Sequence, residues 1–265
     1  MTAITIDAVR ERHATADQVR LARLTGMELR KMFDTRSGFW LMASIIVAAL
    51  VSTVATILFA PDADMTYYTF AKAIGFPMTV ILPMIAILSI TGEWSQRSGL
   101  STFTLVPHRN RVILAKGIAS VTVGFASMLV ALAMGVAGNI AGTAIAGTER
   151  VWDVSFGHGV TIVLGSLLSL LTGTVLGILF RSSPVALVAY FVYSLLLPTV
   201  MGLLAASSQR FQELQPWVDL IHAQATLFEG SVTAEQWAHL AVTVTIWLVL
   251  PALAGLRLVM TSEVR

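Results

Sequence analysis

Residues 158–180 read HGVTIVLGSLLSLLTGTVLGILF, a run without a single Asp, Glu, Lys or Arg. A helix of roughly 20 apolar residues crosses the hydrocarbon core of a bilayer. This stretch is therefore predicted to span a membrane. Five other runs have a similar length and character, so the chain is predicted to be an all-α polytopic membrane protein. The predicted spans are 39–60, 73–91, 112–138, 158–180, 184–206 and 238–260.

The composition of the whole chain agrees with this class. Its 265 residues are 56% hydrophobic and 12% charged, whereas a soluble domain carries about 25% charged residues. A water-soluble globule and a disordered chain are both excluded. Residues 1–265 are predicted to form one membrane domain, in which a polar N-terminal segment (1–38) precedes a six-span bundle (39–260). Segment 1–38 has no early apolar run, so no cleavable signal peptide is expected.

Several kinds of chemistry are absent from the sequence. There is no cysteine and no Gly-Lys-Ser/Thr phosphate-binding loop, so the chain is expected not to hydrolyse ATP itself. The histidines are scattered, and neither a bound metal nor an enzymatic site is expected. Lys116 and Arg257 are the only ionised side chains in the predicted spans. Both are near span ends, where a long side chain is expected to reach water, which disfavours a proton-coupled carrier.

The third apolar run is longer than one bilayer crossing needs. It continues from Val112 to Gly147, broken only by Lys116 and Asn139. Four glycines near its far end predict that the helix breaks there. They are Gly135, Gly138, Gly142 and Gly147.

Small residues and prolines inside the spans bear on helix packing. Gly173 and Gly177 form a Gly-x-x-x-Gly motif in the fourth span, which lets two helices approach closely. The contact could lie within one chain or across a dimer, and the first is favoured. The prolines are candidate kinks: Pro77, Pro83, Pro198 and Pro251.

Lys and Arg are distributed unequally between the two sides of the predicted bundle. With alternating spans, fourteen of the seventeen fall on the side of the termini. Because loops rich in Lys and Arg stay in the cytoplasm, both termini are predicted to be cytoplasmic.

Residues from about 17 to 36 are predicted to form a basic amphipathic helix. One arc of this helix carries Leu21, Leu24, Leu29, Met32 and Phe33, and the opposite arc carries Arg20, Arg23, Arg30 and Lys31. Arg36 is the last basic residue of this predicted interface helix, and Met27 and Arg36 depart from the two-sided pattern. Such a helix beside a first span is expected to lie in the cytoplasmic membrane interface. It is either a plain anchor or a link that transmits motion into the first span, and the sequence leaves both open.

The connection between the second and third spans, residues 92–111, is too long for a simple turn. Pro107 ends any helix before it, and the basic residues Arg97, Arg109 and Arg111 surround a few apolar side chains. The connection is either a loop whose arginines only fix the topology or a docking element for a cytoplasmic partner.

This connection resembles the cytoplasmic coupling segment of ABC type-2 transporter permeases, particularly those of actinobacterial exporters. The resemblance rests on the following residues: Glu93, Gly99 with Thr102, Pro107 with Arg109, and Lys116, together with the stretch from Arg36 to Trp40 that enters the first span. It implies that 92–111 docks a separate P-loop ATPase subunit, which would hold ATP and Mg. It also implies a second permease copy or paralogue, and short re-entrant extracellular helices within the loop 207–237.

The combined expectation is a permease subunit of an ATP-driven exporter in the cell membrane, surrounded by lipid. The uncharged spans favour an amphipathic, lipid-like or drug-like cargo, and no nucleic acid is expected as a partner. Two alternatives stay open: a self-contained carrier or channel, and a non-transporting membrane scaffold.

Overall fold

The computed structural model describes residues 21–34, 36–95 and 109–261. These residues are almost entirely helical and contain no β-strand, although Thr66 and Val151 form one isolated bridge. The helices are α1 (Leu21–Asp34), α2 (Arg36–Phe59), α3 (Tyr67–Ser95), α4 (Arg109–Ala146), α5 (Phe156–Phe180), α6 (Ser183–Phe191), α7 (Leu197–Ser207), α8 (Gln209–Val218), α9 (Leu220–Ala225), α10 (Ala234–Val244) and α11 (Leu250–Thr261). Short 3-10 helices cover Asp62–Asp64 and Thr226–Phe228.

Six helical stretches in the described part of the chain are long and apolar enough to cross a membrane. They are Gly38–Phe59, Tyr67–Gly92, Arg111–Ala146, Phe156–Phe180, Ser183–Ser207 and Ala234–Leu258. Each overlaps one of the six predicted spans, so the prediction of an all-α chain with six apolar helices of membrane-spanning length is confirmed.

Helix α4 corrects the prediction for the third span. It continues without a break for 38 residues, about 57 Å at 1.5 Å per residue. The glycines serve close packing instead of a break. A Cβ at Gly138 would lie 2.7 Å from Phe70 Cδ1, and one at Gly142 would lie 2.7 Å from Phe70 Cζ. Only Gly147, at a φ of +70°, follows the end of the helix.

Helix α3 lies at the centre of the bundle, packed against α2, α4 and α5. Its contact with α5 is close enough to require glycine. A Cβ at Gly173 would lie 2.5 Å from the carbonyl oxygen of Pro83, and one at Gly177 would lie 3.1 Å from Ile90. The Gly-x-x-x-Gly motif therefore faces another helix of the same chain.

The fifth and sixth spans each contain a π-helical turn. Val192–Leu196 separates α6 from α7, and Thr245–Val249 separates α10 from α11. Each turn ends two residues before a proline, Pro198 or Pro251. A proline has no N–H to donate, and its ring crowds the carbonyl four residues earlier. A π turn accommodates such a mismatch within a helix. Helix α3, by contrast, continues through both of its prolines.

The two ends of the bundle are distinguished by their contacts. At one end, called the α1 end, Thr91 Oγ1 lies 2.7 Å from Ser183 Oγ, which joins α3 to α6. At the other, called the loop end, the backbone N–H of Tyr67 donates to Val151 O. The loop end also carries α8 and α9.

Candidate functional site

Helix α1 buries one face against the bundle. Its buried residues are Leu24, Glu28 and Met32, which are four residues apart and so lie on one side of the helix. This face packs against α4 and α2. The predicted amphipathic helix is thus present over Leu21–Asp34, whereas residues 17–20 and 35 lie outside the described residues.

The two arcs of α1 differ partly from the prediction. Arg23, Arg30 and Lys31 lie on the exposed side, as predicted. Phe33, which was predicted to lie on the apolar arc, is 53% exposed, because it lies about 100° around the helix from Met32. Arg36, which was predicted to belong to the interface helix, instead begins α2 and is exposed. Arg20 lies outside the described residues.

Glu28, in the middle of the buried face, joins α1 to the beginning of α4. Its Oε2 accepts a hydrogen bond from Lys116 Nζ at 2.6 Å, and its Oε1 accepts one from Lys31 Nζ at 2.7 Å. The side chains of Lys116 and Glu28 are only 7% and 9% exposed. We call these three residues the Glu28 cluster.

Two opposing effects act on the pKa of the Glu28 carboxyl. Burial raises the pKa because it penalises the charged form, whereas the charge and hydrogen bond of Lys116, followed by those of Lys31, lower it. The lowering prevails, and the pKa falls below its usual 4.5. Glu28 is therefore ionised at neutral pH, and its ion pair with Lys116 persists there.

The position of Lys116 corrects another prediction. Its side chain was expected to reach water from the end of its span, but it is buried and ion-paired. A buried charge is stable only when a partner of opposite charge and hydrogen bonds replace the lost hydration. Glu28 supplies both from a different helix, so the cluster fixes the position of α1 against α4.

The predicted docking segment, residues 92–111, begins and ends on helices at the α1 end. Glu93 lies in the last turn of α3, Arg109 begins α4 and Arg111 is half-buried on α4. The two flanking helices touch, because Ile90 of α3 and Ile113 of α4 belong to one buried apolar cluster. The other predicted docking residues lie outside the described residues: Arg97, Gly99, Thr102 and Pro107.

At the loop end, the segment from α8 to the Thr226–Phe228 turn is hydrogen-bonded to the second, fourth and sixth spans. Trp247 Nε1 donates to Val218 O at 2.7 Å. The carbonyl of Phe228 accepts from Tyr68 Oη at 3.2 Å and lies 3.1 Å from His158 Nε2. Since a carbonyl can only accept, this geometry requires the proton of His158 to be on Nε2.

The side chain of Gln224 connects this segment to the interior of the bundle. Its Nε2 donates to Gly165 O at 2.8 Å and to Ser169 Oγ at 2.6 Å. Ser169 is the fourteenth of the 25 residues of α5, so Gln224 contacts α5 near its middle. The Phe228 ring fills the adjacent space, where a Cβ on Gly165 would lie 2.7 Å from Phe228 Cζ.

Sequence reasoning missed Glu28 and Gln224. Glu28 had a visible signal, since it interrupts the apolar arc of a basic helix between Leu24 and Met32. Gln224 had none, because its partners Gly165 and Ser169 are 59 and 55 positions away in sequence. Within the described residues, no group of three His, Asp or Glu side chains could hold a metal ion.

Comparison with protein-family models finds no match to this chain, and comparison with curated proteins finds no relative.

Proposed function

We propose that this chain is the permease subunit of an ATP-driven ABC exporter of the type-2 class. In this proposal a separate P-loop ATPase subunit holds ATP and Mg and docks on residues 92–111. A second copy or a paralogue completes the translocation pathway. Both termini are cytoplasmic, and the cargo is amphipathic, lipid-like or drug-like.

The Glu28 cluster is the observation that carries the proposal. A permease driven from outside must move several helices together when its ATPase changes state. Segment 92–111 is continuous with α3 and α4, and the Lys116–Glu28 pair adds α1 to α4. A push on the segment would therefore move α1, α3 and α4 as a connected unit, which favours the mechanical link over the plain anchor.

The energetic requirement of such coupling is a difference in binding. An ATPase shifts the permease between two arrangements only if it binds one arrangement more tightly than the other. The segment supplies basic residues for that contact, including Arg109 and Arg111. The unequal distribution of Lys and Arg supports a cytoplasmic location of the segment.

The loop end fits the proposed re-entrant helices. Helices α8 and α9 are too short to cross a bilayer, and Gln224 bonds to α5 near its midpoint. A segment that enters from one side, reaches this depth and returns to α10 on the same side has the geometry of a re-entrant hairpin. In the proposed orientation, it closes the extracellular end of the pathway.

The fifth span fits pairing with a second copy. Ser183–Ser207 is the least buried of the six spans in the described chain. Its exposed apolar side chains include Val188, Leu195 and Leu203. In a monomer these would face only lipid, whereas in a dimer they supply an apolar contact surface.

The test is co-purification from native membranes with the intact chain as bait, followed by mass spectrometry. We expect a stoichiometric P-loop ATPase. Charge reversal at Arg109 and Arg111 should reduce its recovery without reducing membrane insertion. The matched control is charge reversal at Arg150 and Arg210, which lie at the loop end.

The alternatives predict different results. A self-contained carrier or channel would transport after reconstitution alone and would recover no ATPase. A scaffold would recover partners without substrate-dependent activity. Either result from well-behaved protein overturns the proposal.

A further inference from the structure

Helix α1 has a second face, which the rest of the bundle does not cover. It consists of Arg23, Met27, Arg30 and Phe33, all of which are exposed. These residues follow one another at intervals of four, three and three positions, so they form one continuous strip along the helix. The strip lies opposite the buried face that carries Glu28. We call it the Arg23 strip.

The Arg23 strip mixes apolar and charged side chains. Met27 and Phe33 are 52% and 53% exposed, while the side chain of Arg30 between them is 84% exposed. Water leaves the apolar groups unburied, and hydrocarbon penalises the charges. The boundary between lipid headgroups and acyl chains satisfies both kinds, because arginine reaches the phosphates while apolar side chains enter the acyl region.

The beginning of α2 repeats this arrangement. Arg36 and Trp40 are four residues apart and therefore neighbours on one side of the helix, and both are exposed, Trp40 by 70%. Trp40 is the third residue of the first apolar stretch, Gly38–Phe59. Tryptophan is enriched where a span meets the headgroups. Since one residue separates α1 from α2, the Arg23 strip lies next to this boundary along the chain.

The charge of this surface is positive. Its arginines, Arg23, Arg30 and Arg36, are opposed by a single exposed carboxylate of α1, Asp34. Asp34 approaches Arg30 only to 4.0 Å and both side chains are largely exposed, so the pair holds Arg30 weakly. The other carboxylate of α1 is buried in the Glu28 cluster. The surface therefore offers guanidinium groups that can bind phosphate.

This charge distinguishes between headgroups. A zwitterionic headgroup offers a phosphate but also carries an ammonium group, which the arginines repel. An anionic headgroup offers the phosphate without that repulsion, and each basic residue near an anionic surface adds to the attraction.

A cytoplasmic protein is the alternative occupant of the same face. The neighbouring Trp40 favours lipid, because it lies at the beginning of a helix that is apolar enough to enter hydrocarbon. A soluble partner would have to cover the Arg23 strip beside that helix.

We infer that Arg23, Arg30 and Arg36 bind the headgroups of anionic phospholipids. Phe33 and Trp40 insert beside the upper acyl chains. Lipid thus holds the outer face of α1, while the Glu28 cluster holds its inner face. The inference goes beyond the proposed function, since it names a lipid class and requires no ATPase.

The experiment measures lipid selectivity of the intact chain alone. The chain is placed in nanodiscs of equal parts phosphatidylcholine and phosphatidylglycerol with the same acyl chains, and native mass spectrometry counts the lipids that stay bound after release into detergent. We expect phosphatidylglycerol to be retained in preference to phosphatidylcholine. High salt during release should reduce the preference, because salt screens exposed charges.

Matched variants locate the binding. Arg23→Gln combined with Arg30→Gln should weaken the preference about fivefold per arginine, the effect of one basic residue near an anionic surface. Both side chains are exposed, so the double variant should fold. The control, Arg150→Gln combined with Arg210→Gln, removes two exposed charges at the loop end and should leave the preference unchanged. Asp34→Asn should strengthen the preference, because it removes the opposing charge.

Three results would overturn the inference. The first is equal retention of the two lipids by the wild type, and the second is an equal effect of the two double variants. The third is an unchanged lipid preference in the Arg23→Gln, Arg30→Gln variant together with loss of a co-purified protein, because the strip would then dock a protein.

Discussion

Lys116 Nζ lies 2.6 Å from Glu28 Oε2, although 88 positions separate the two residues in sequence. The pair connects a helix outside the six apolar spans to the helix that follows segment 92–111. Its burial distinguishes it from the Arg30–Asp34 pair of α1, whose side chains are 84% and 69% exposed and whose charged atoms are 4.0 Å apart. This contrast provides a matched test on a single helix.

The first prediction concerns the strength of the Glu28–Lys116 pair. Glu28→Gln and Lys116→Met should each destabilise the docking of α1, because each removes one partner of a buried charge pair. The double variant should lose less than the sum, with a coupling free energy of roughly 0.5–3 kcal/mol. Unfolding in micelles and limited proteolysis at α1 measure the effect.

The control for this cycle is Asp34→Asn. It disrupts an exposed pair, which contributes little, so stability should be nearly unchanged. Additive effects of the Glu28 and Lys116 variants would show that the pair does not hold α1.

The second prediction concerns pH. Because the folded pKa of Glu28 lies below its ordinary 4.5, ionised Glu28 stabilises the folded state above that pH. The stabilisation should be constant from neutral pH down to about pH 5 and should be lost as the pH falls through the lowered folded value. Thermal unfolding of the wild type and Glu28→Gln across this range checks it, and a constant difference at all pH values would contradict the assignment.

The third prediction concerns the contact between α3 and α5. Gly173→Ala should destabilise the protein by about 1–3 kcal/mol, because the added Cβ would lie within 3 Å of the Pro83 backbone and backbone atoms cannot easily move aside. Gly177→Ala should have a smaller effect. Thermal unfolding in micelles measures both.

The control for the glycine series is Gly75→Ala on α3. A Cβ there meets no described atom within 4 Å, and alanine favours a helix over glycine by up to ~1 kcal/mol. This variant should be neutral or stabilising. Equal stability of Gly173→Ala and Gly75→Ala would mean that α3 and α5 are not in close contact.

The fourth prediction concerns the segment at the loop end. Trp247→Phe removes the hydrogen bond to Val218 O and should cost about 1 kcal/mol. Backbone hydrogen exchange should increase in α8 and α9. The control is Trp237→Phe, at a side chain that is 43% exposed, which should leave exchange in α8 and α9 unchanged. If the Trp247→Phe and Trp237→Phe variants show the same exchange in α8 and α9, Trp247 does not hold this segment.

The six spans could be predicted because bilayer thickness sets a length that a run of apolar residues either reaches or does not. The amphipathic helix could be predicted from its periodicity. The partners of individual side chains could not be obtained in this way. Lys116 was interpreted by its distance from the span end, whereas its burial depends on a carboxylate that only the fold brings near.

The third span shows a different limit. Gly135, Gly138 and Gly142 are typical of a helix break when a sequence is considered alone. In the fold they give space to Tyr67 and Phe70 of α3, and the helix continues. The same residue type serves two purposes, and only the neighbouring helix decides which applies.

Photo-crosslinking in native membranes tests the central claim, that segment 92–111 docks a separate ATPase. The intact chain carries a photoreactive amino acid at position 102 within the segment or, as a control, at the exposed Glu149 of the loop end. We expect position 102 to crosslink to a P-loop ATPase and position 149 not to do so. Absence of the ATPase from the products of position 102, or its equal capture at both positions, would contradict the account.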